Sequence, residues 1–528
     1  MRPPPHVVAA AGKERTPASR QQEGRLRARL RGIAGQAFQH GVASGDPLHD
    51  RMILWTRVTT EADAVDVEWK VGRDPELRDV VSNGTVSADS ASDHTVHVDV
   101  QGLTPGTTYH YGFSTLHERS PVGRTRTLPV PDSDHLKIAM VSCARYDTGY
   151  FNGYARIAER DDLDFVLHLG DYIYEGSNQK FPNDPRPDLG RRFDPDKNCI
   201  TLDDYRRRFA EYCSDPDVQA FRAAHPVIAT LDDHELADGC WAGGSSWHTP
   251  EDGPWPDRRA AAFKARWDWL PARLPEPDDL ERVFRTVRIG DLADLIIIDM
   301  RSRRDQPVSA PAMNDPGRTQ LGLDQRAWLL GELDVSTARW RLLANSSAMG
   351  QTWTPQIPEA IRPVIGTLKL SDSGGAGPDP DQWDGYPAER ALVLGHVRDQ
   401  GIDNLVVLSG DIHVALAMEL HEDSFSGSAP VAVEFVTASL TSPNLDDKMG
   451  WPRRGPQSLA VEHELMQVMP HWKWCDLDDH GYVVVEVTPE RVVAEWWFVP
   501  TVLERAPGEE SGARLMVEHG TRKIVAAP

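Results

Sequence analysis

FVLHLGDYIYEG, residues 165–176, decides how the rest of the chain is read. Its first half is an apolar run that suits a strand covered on both faces. The run ends at Gly170 and Asp171, where the chain turns out of the sheet, and two phenols follow, Tyr172 and Tyr174. An acid released at the carboxyl end of a buried strand lies where open α/β sheets place ligand chemistry. The same texture recurs in KIAMVSC (137–143), PVIATLDD (226–233), DLIIIDMR (294–301), RLLANSS (341–347), NLVVLSGD (404–411) and VAVEFVTASL (431–440). Helical stretches alternate with these strands. LDDYRRRFAEYC (202–213) and LDQRAWLLGEL (323–333) are two, and YPAERALVLGHVRDQG (386–401) has Pro near its start and Gly at its end. A hairpin, GYVVVEVTPERVVAEWWFV (481–499), suggests a second sheet. Together these predict a layered α/β sandwich.

Residues 37–130 have a different texture. Short alternating runs such as VDVEWKVG (65–72) and TYHYGFST (108–115), punctuated by Gly, Pro, Asp and Asn, predict a β-sandwich domain. LTPGTTYHYGF (103–113) resembles the turn and tyrosine-bearing strand of a fibronectin type III module. Residues 1–36 form a basic, Pro- and Ala-rich leader, expected to be disordered and without the apolar core of a secretory signal. That leaves localisation open between the cytoplasm and a start lying elsewhere. Residues 136–500 make up the expected catalytic domain. Within it, 176–200 is read as a surface insertion or a lid, and 501–528 as a tail that is disordered or folds back over the site.

Acids outnumber Lys and Arg 80 to 57, a net charge of −23, which disfavours nucleic-acid binding through phosphate contacts. No apolar run approaches the roughly 18 residues of a transmembrane helix. The five cysteines include no C-x-x-C pair, so a zinc ribbon is not expected, although Cys199 and Cys213 could close a short loop. Oligomeric state stays open.

The strand ends carry Cys143, Asp171, Asp232-Asp233-His234-Glu235, Asp299, Arg301, Asn345, Asp411 and His413. Carboxylates, an imidazole, a thiol and a phenol suit metal ions. Neither a Walker-type glycine loop nor a G-x-S-x-G elbow occurs. The chemistry this set fits is metal-assisted hydrolysis.

The order GD, DHE, GDIH resembles the calcineurin-like metallophosphoesterases, with SCAR around Cys143 in place of their first D-x-H block. The replacements resemble the alkaline phosphatases of the PhoD type. So do FQHGVASGDP (38–47), the long run 201–235, IDMRSRRDQ (298–306) and WDGYPAER (383–390). The resemblance spans about 38–500. It implies a four-layer αββα sandwich preceded by a small fibronectin type III-like β-sandwich. It also implies a site with ferric iron and calcium, zinc or manganese being the alternative. By block position, Cys143, Tyr174 and His413 would ligate iron and Asp171 would bridge, with Asp233 and Asp411 on the calcium side and Asp232 nearby. Tyr172 is expected to pack, since neighbouring side chains alternate in an extended segment.

The implied activity is hydrolysis of small-molecule phosphomonoesters and phosphodiesters at alkaline pH, by a metal-bound hydroxide or oxide attacking in line. His234 would assist the leaving group, and Arg145 and Arg301 would bind non-bridging oxygens, as a guanidinium fork matches phosphate. Asn345 keeps the amide that relatives carry. A phospholipase D-like phosphodiesterase on the same scaffold, or a non-catalytic metal- or phosphate-binding protein, are the alternatives. The chain departs from the pattern at Gly239, where relatives carry Asn and Asp238 could substitute, at Ser346, at Leu231, and in lacking a twin-arginine signal.

Overall fold

The computed structural model describes residues 37–130, 132–178 and 185–528; the leader expected over 1–36 lies outside the described residues. Among them, a ten-stranded and a seven-stranded sheet stack face to face. In the first, Leu136–Val141, Phe165–His168 and Pro226–Ala229 run parallel at the centre. In the second, Ala293–Ile297, Trp340–Ala344, Leu405–Ser409 and Ala432–Val436 run parallel.

Alternation along these strands builds the layers. Ile138 and Met140 enter the core between the sheets, against Leu295, Leu342, Val406 and Phe435. Ala139 and Val141 face the other way, into a core shared with Tyr205, Phe209 and Tyr212 of the helix Leu202–Ser214. On the far side Ile296, Leu343 and Val407 pack against Leu329 and Leu333 of Leu323–Val335, and Val393 and Val397 of Pro387–Asp399. Helix, sheet, sheet, helix is the αββα sandwich. Thr201 and Asp204 start the first of these helices with a reciprocal capping box.

The N-terminal sandwich shares one layer with the catalytic core. A four-stranded sheet contributes Val67, Trp69 and Tyr111, which pack on Val42, Leu54 and Val98. Those last three sit on strands of the ten-stranded sheet, where Val42–Gly45 pairs in parallel with Pro226–Ala229. The sheet therefore runs across the 130–136 boundary. Within the sandwich, the Tyr109 hydroxyl accepts from Thr104 N at 2.9 Å, as a tyrosine corner does.

Two expectations need correction. The 501–528 tail contains the strands Glu510–Glu518 and Ile524–Ala526, which extend the edge of the ten-stranded sheet, so its backbone donors are satisfied there. Cys199 and Cys213 do not bridge; all five cysteines are buried thiols. No helix among the described residues is long and apolar enough to cross a membrane.

Gly170 is required by close approach. It has φ 96°, and a Cβ there would collide with Asp232 Cβ and stand 2.7 Å from Asp232 N. Gly170→Ala should lower stability by about 2–4 kcal/mol in urea unfolding. Gly508→Ala, with φ 93° but open space around it, should cost about 1 kcal/mol.

Candidate metal centre

The carboxyl ends of both parallel strand sets meet at one edge. Isolated bridges Leu231–Asp299 and Ser142–Ser439 join the two sheets there. Three of the strands then release their chains into a conformation that L-residues adopt rarely: Cys143 has φ 58°, Asp171 54°, and Asp411 and His413, after the same strand, 67° and 61°. Such outliers persist only where the surroundings over-determine them.

Three sets of donor atoms each lie within 4.8 Å of one another: Cys143, Asp171 and His413; Asp171, Asp233 and His234; and Asp171, Asp232, Asp233 and Asp411. Asp171 belongs to all three. Its Oδ2 accepts from the Tyr174 hydroxyl at 2.7 Å, and that phenol oxygen accepts from Ser442 Oγ at 2.6 Å. The remaining oxygen, Asp171 Oδ1, is buried without a hydrogen-bond partner, as are Asp232 Oδ2, Asp233 Oδ1 and His413 Nε2. Buried polar atoms normally find partners. Four orphans turned to one small region, all of them good ligand atoms, fit a bound cation.

The electrostatics agree. Burial lifts the Asp171 carboxyl to about 7, with Asp233 adding to the rise and His234 opposing it. Burial and the neighbouring Asp171 push the Cys143 thiol well up, and burial, Asp171 and Cys143 do the same to the Tyr174 phenol. Protein groups alone do not stabilise these anions; a multivalent cation reverses that balance.

Glu235 fixes the geometry. Its carboxylate accepts from Asp171 N at 3.2 Å, Tyr172 N at 2.5 Å and Asp232 N at 2.8 Å, stapling the two acid-bearing turns together. Asp233 Oδ2 accepts from Gly239 N at 2.9 Å, so Gly239 serves this acid with its backbone. His234 Nδ1 lies 2.7 Å from Glu175 Oε2, and its ring centroid is 4.0 Å from that of Tyr174. Although burial opposes it, Asp171, Glu175 and Asp233 raise the His234 pKa well above that of a free imidazole. Tyr172 is buried in the core with Phe209, away from the donor sets.

One expected phosphate contact, Arg301, is differently employed. Arg301 is fully buried; Nε holds Asp232, Nη1 holds Asp381 at 2.6 Å and Nη2 holds Asp411 at 2.7 Å. All three nitrogens are occupied by acids, so it acts as a clamp on the carboxylates instead of a phosphate ligand. The Asn345 amide is likewise committed, donating to Ser347 O and Ser409 Oγ and accepting from Trp383 Nε1 at 3.2 Å. Arg145 forms a bidentate pair with Asp147, at 2.7 and 3.2 Å, and lies 5.5 Å from the Tyr174 ring centroid.

Sequence reading missed Glu175 and Lys369. Glu175 stands inside the opening stretch, one residue past Tyr174, where an acid beside a turn could have been noticed. Lys369, whose Nζ lies 2.5 Å from Asp411 Oδ1, comes from a loop with no motif. The described residues 185–200 border the site: Cys199 N donates to Glu175 O at 2.9 Å, and Arg191 lies 3.8 Å over the Tyr146 ring.

The sequence pattern of the PhoD-like phosphatases matches residues 138–496, and that of their N-terminal domain matches 25–129. The chain belongs to the PhoD-like phosphatase family. It is 36% identical over 517 residues to alkaline phosphatase D of Bacillus subtilis (strain 168), across 92% of this chain and 82% of that protein. A solved structure of PhoD superposes with a TM-score of 0.81 at 32% identity, covering 94% of this chain and 93% of its own. The purple acid phosphatase PPD1 from yellow lupin seeds shares the fold, with a TM-score of 0.51 at 10% identity, over 87% and 71% of the two chains. As a PhoD-like phosphatase, the protein is a phosphoric ester hydrolase of the metallophosphatase kind.

Glu175→Gln isolates the His234 pair within this PhoD-like site. It should lower kcat by about 10–100-fold with metal content unchanged. Because Glu175 raises the His234 pKa, its loss should move the His234-dependent limb of the kcat–pH profile to lower pH.

Proposed function

We propose that this protein is an alkaline phosphatase and phosphodiesterase that acts on small phosphoric esters at an iron–calcium centre. The observation that carries the reading is Asp171: one carboxylate common to every donor set, with one oxygen bare and buried. Cys143, Tyr174 and His413 would hold ferric iron, and Asp232, Asp233 and Asp411 would hold calcium, with Asp171 available to both sets. Thiolate and phenolate neutralise a trivalent ion, while carboxylate oxygens suit calcium. Once bound, the metals supply Lewis acidity at the ester and activate a water at neutral to alkaline pH.

The chain's own groups do the rest. His234, oriented through Nδ1 by Glu175, presents Nε2 as the proton donor for the leaving alkoxide. Arg145, kept in place by Asp147 and the Tyr174 ring, holds a non-bridging oxygen. Arg301 and Lys369 keep Asp411 ionised: burial opposes this, but their charges hold its carboxyl far below the usual range. Glu235 holds Asp171 and Asp232 at fixed separation.

Elemental analysis with a visible spectrum tests the centre. Purified protein should contain iron and calcium and show a charge-transfer band. Tyr174→Phe should shift or remove that band and lower hydrolysis of both nitrophenyl phosphate and bis(nitrophenyl) phosphate by about 10-fold or more. Colourless, fully active protein holding only zinc or manganese would overturn the iron assignment.

A further inference from the structure

Three cationic side chains from separate segments, Lys448, Lys369 and Arg186, lie near enough for the other two to act on Lys448, and both lysines act on His413. Lys448 lies on the short helix Leu445–Met449, and its Nζ donates to Thr367 O at 2.6 Å, two residues before Lys369. Lys369 in turn reaches Asp411 at 2.5 Å. Arg186 follows Pro185, which packs on the end of the same helix: a Cβ on Gly450 would meet Pro185 Cβ at 3.1 Å. His413 Nδ1 is 3.0 Å from Pro443 O, in the loop that leads into this helix. The cluster is therefore built against the donor set, and its lysine ammonium groups, with three donors each, use one apiece on the contacts named.

These charges act on one another. Burial, and then Lys369 and Arg186, hold the Lys448 amine down at about 8. Acids act on the lysines too: Asp411, beside Lys369, is clamped by Arg301, while of the two that act on Lys448, Asp447 is paired with His480 at 2.9 Å and Asp379 is lifted to about 7 by burial and Asp381. In a chain of net charge −23, a group of cations gathered at the rim of a phosphoesterase site is a local field for an anion.

We propose that Lys448, together with Lys369 and Arg186, forms a subsite for a second anionic group of the substrate, so that the preferred esters carry another phosphate on the leaving alcohol. This rests on the phosphoesterase reading above. It adds a specificity that the metal centre alone does not supply, because the centre engages only the reacting phosphoryl group.

Adenosine 3′,5′-bisphosphate and adenosine 5′-monophosphate, compared at about pH 7 where Lys448 is charged, are suitable probes. The wild-type protein should show a higher kcat/KM for the bisphosphate. Lys448→Gln should reduce the bisphosphate-to-monophosphate ratio of kcat/KM about tenfold, the worth of one charge-assisted contact, and Lys448→Arg should restore much of it. Arg186→Gln, on a different segment, should lower the same ratio, so poor folding of one variant leaves the test intact. No wild-type preference, or a ratio unmoved in both Gln variants, would overturn the subsite. If neither ester is turned over, the phosphoesterase reading fails instead. Calorimetry on the metal-loaded protein then decides the subsite separately: pyrophosphate should bind more tightly than phosphate, and Lys448→Gln should erase the difference. Equal binding of the two anions would refute it.

Discussion

Burial of like charge at one sheet edge governs this molecule. Asp171, Asp232, Asp233 and Asp411 are all fully buried, and their ligand atoms lie within 4.8 Å. Carboxylates that close repel strongly where water cannot screen them. The protein offsets the repulsion in three ways. Arg301 and Lys369 hold Asp411 as an ion. Backbone N–H groups, such as Gly239 N on Asp233, satisfy others. Asp171 is lifted toward protonation by its surroundings.

The two-sheet architecture makes that concentration possible. A single open sheet presents its strand ends in a row, whereas two sheets joined by the Leu231–Asp299 and Ser142–Ser439 bridges bring two rows against each other. Left-handed backbone at Cys143, Asp171, Asp411 and His413 then turns the side chains out of their strands. Glu235 contributes no atom to the three donor sets, yet it accepts from the turns that carry Asp171 and Asp232, which makes it a central positioning group.

The fold was legible because its strands are apolar on both faces and its helices are spaced and capped in recognisable ways. Leu136–Val141 and Phe165–His168 read as buried strands before any partner was known. The last 28 residues were not legible, because edge strands such as Glu510–Glu518 are exposed or only half-buried at all but one position and carry little apolar pattern. At the site, residue types that follow strand ends could be gathered from the sequence, and the structure brings Cys143, Asp171, Asp232, Asp233, His234, Asp411 and His413 into contact sets. What each cation does could not be read that way. An arginine at a strand end fits phosphate recognition and carboxylate clamping equally, and only the three-dimensional neighbours of Arg301 separate them. Lys369 lies 42 residues before its partner Asp411, in a segment without periodicity, so no local signal pointed to it.

In the proposed centre, the hydrogen bond from the Tyr174 hydroxyl to Asp171 would make metal uptake an exchange reaction. That proton, and the one on Cys143, must leave before phenol and thiol can serve as anionic ligands, since the burial of both groups keeps them protonated in the cation-free protein. Each proton released makes the apparent metal affinity change by about a factor of ten per pH unit, rising as the solution becomes more alkaline. The centre is thus thermodynamically linked to the pH at which it fills, through groups that are not themselves substrates.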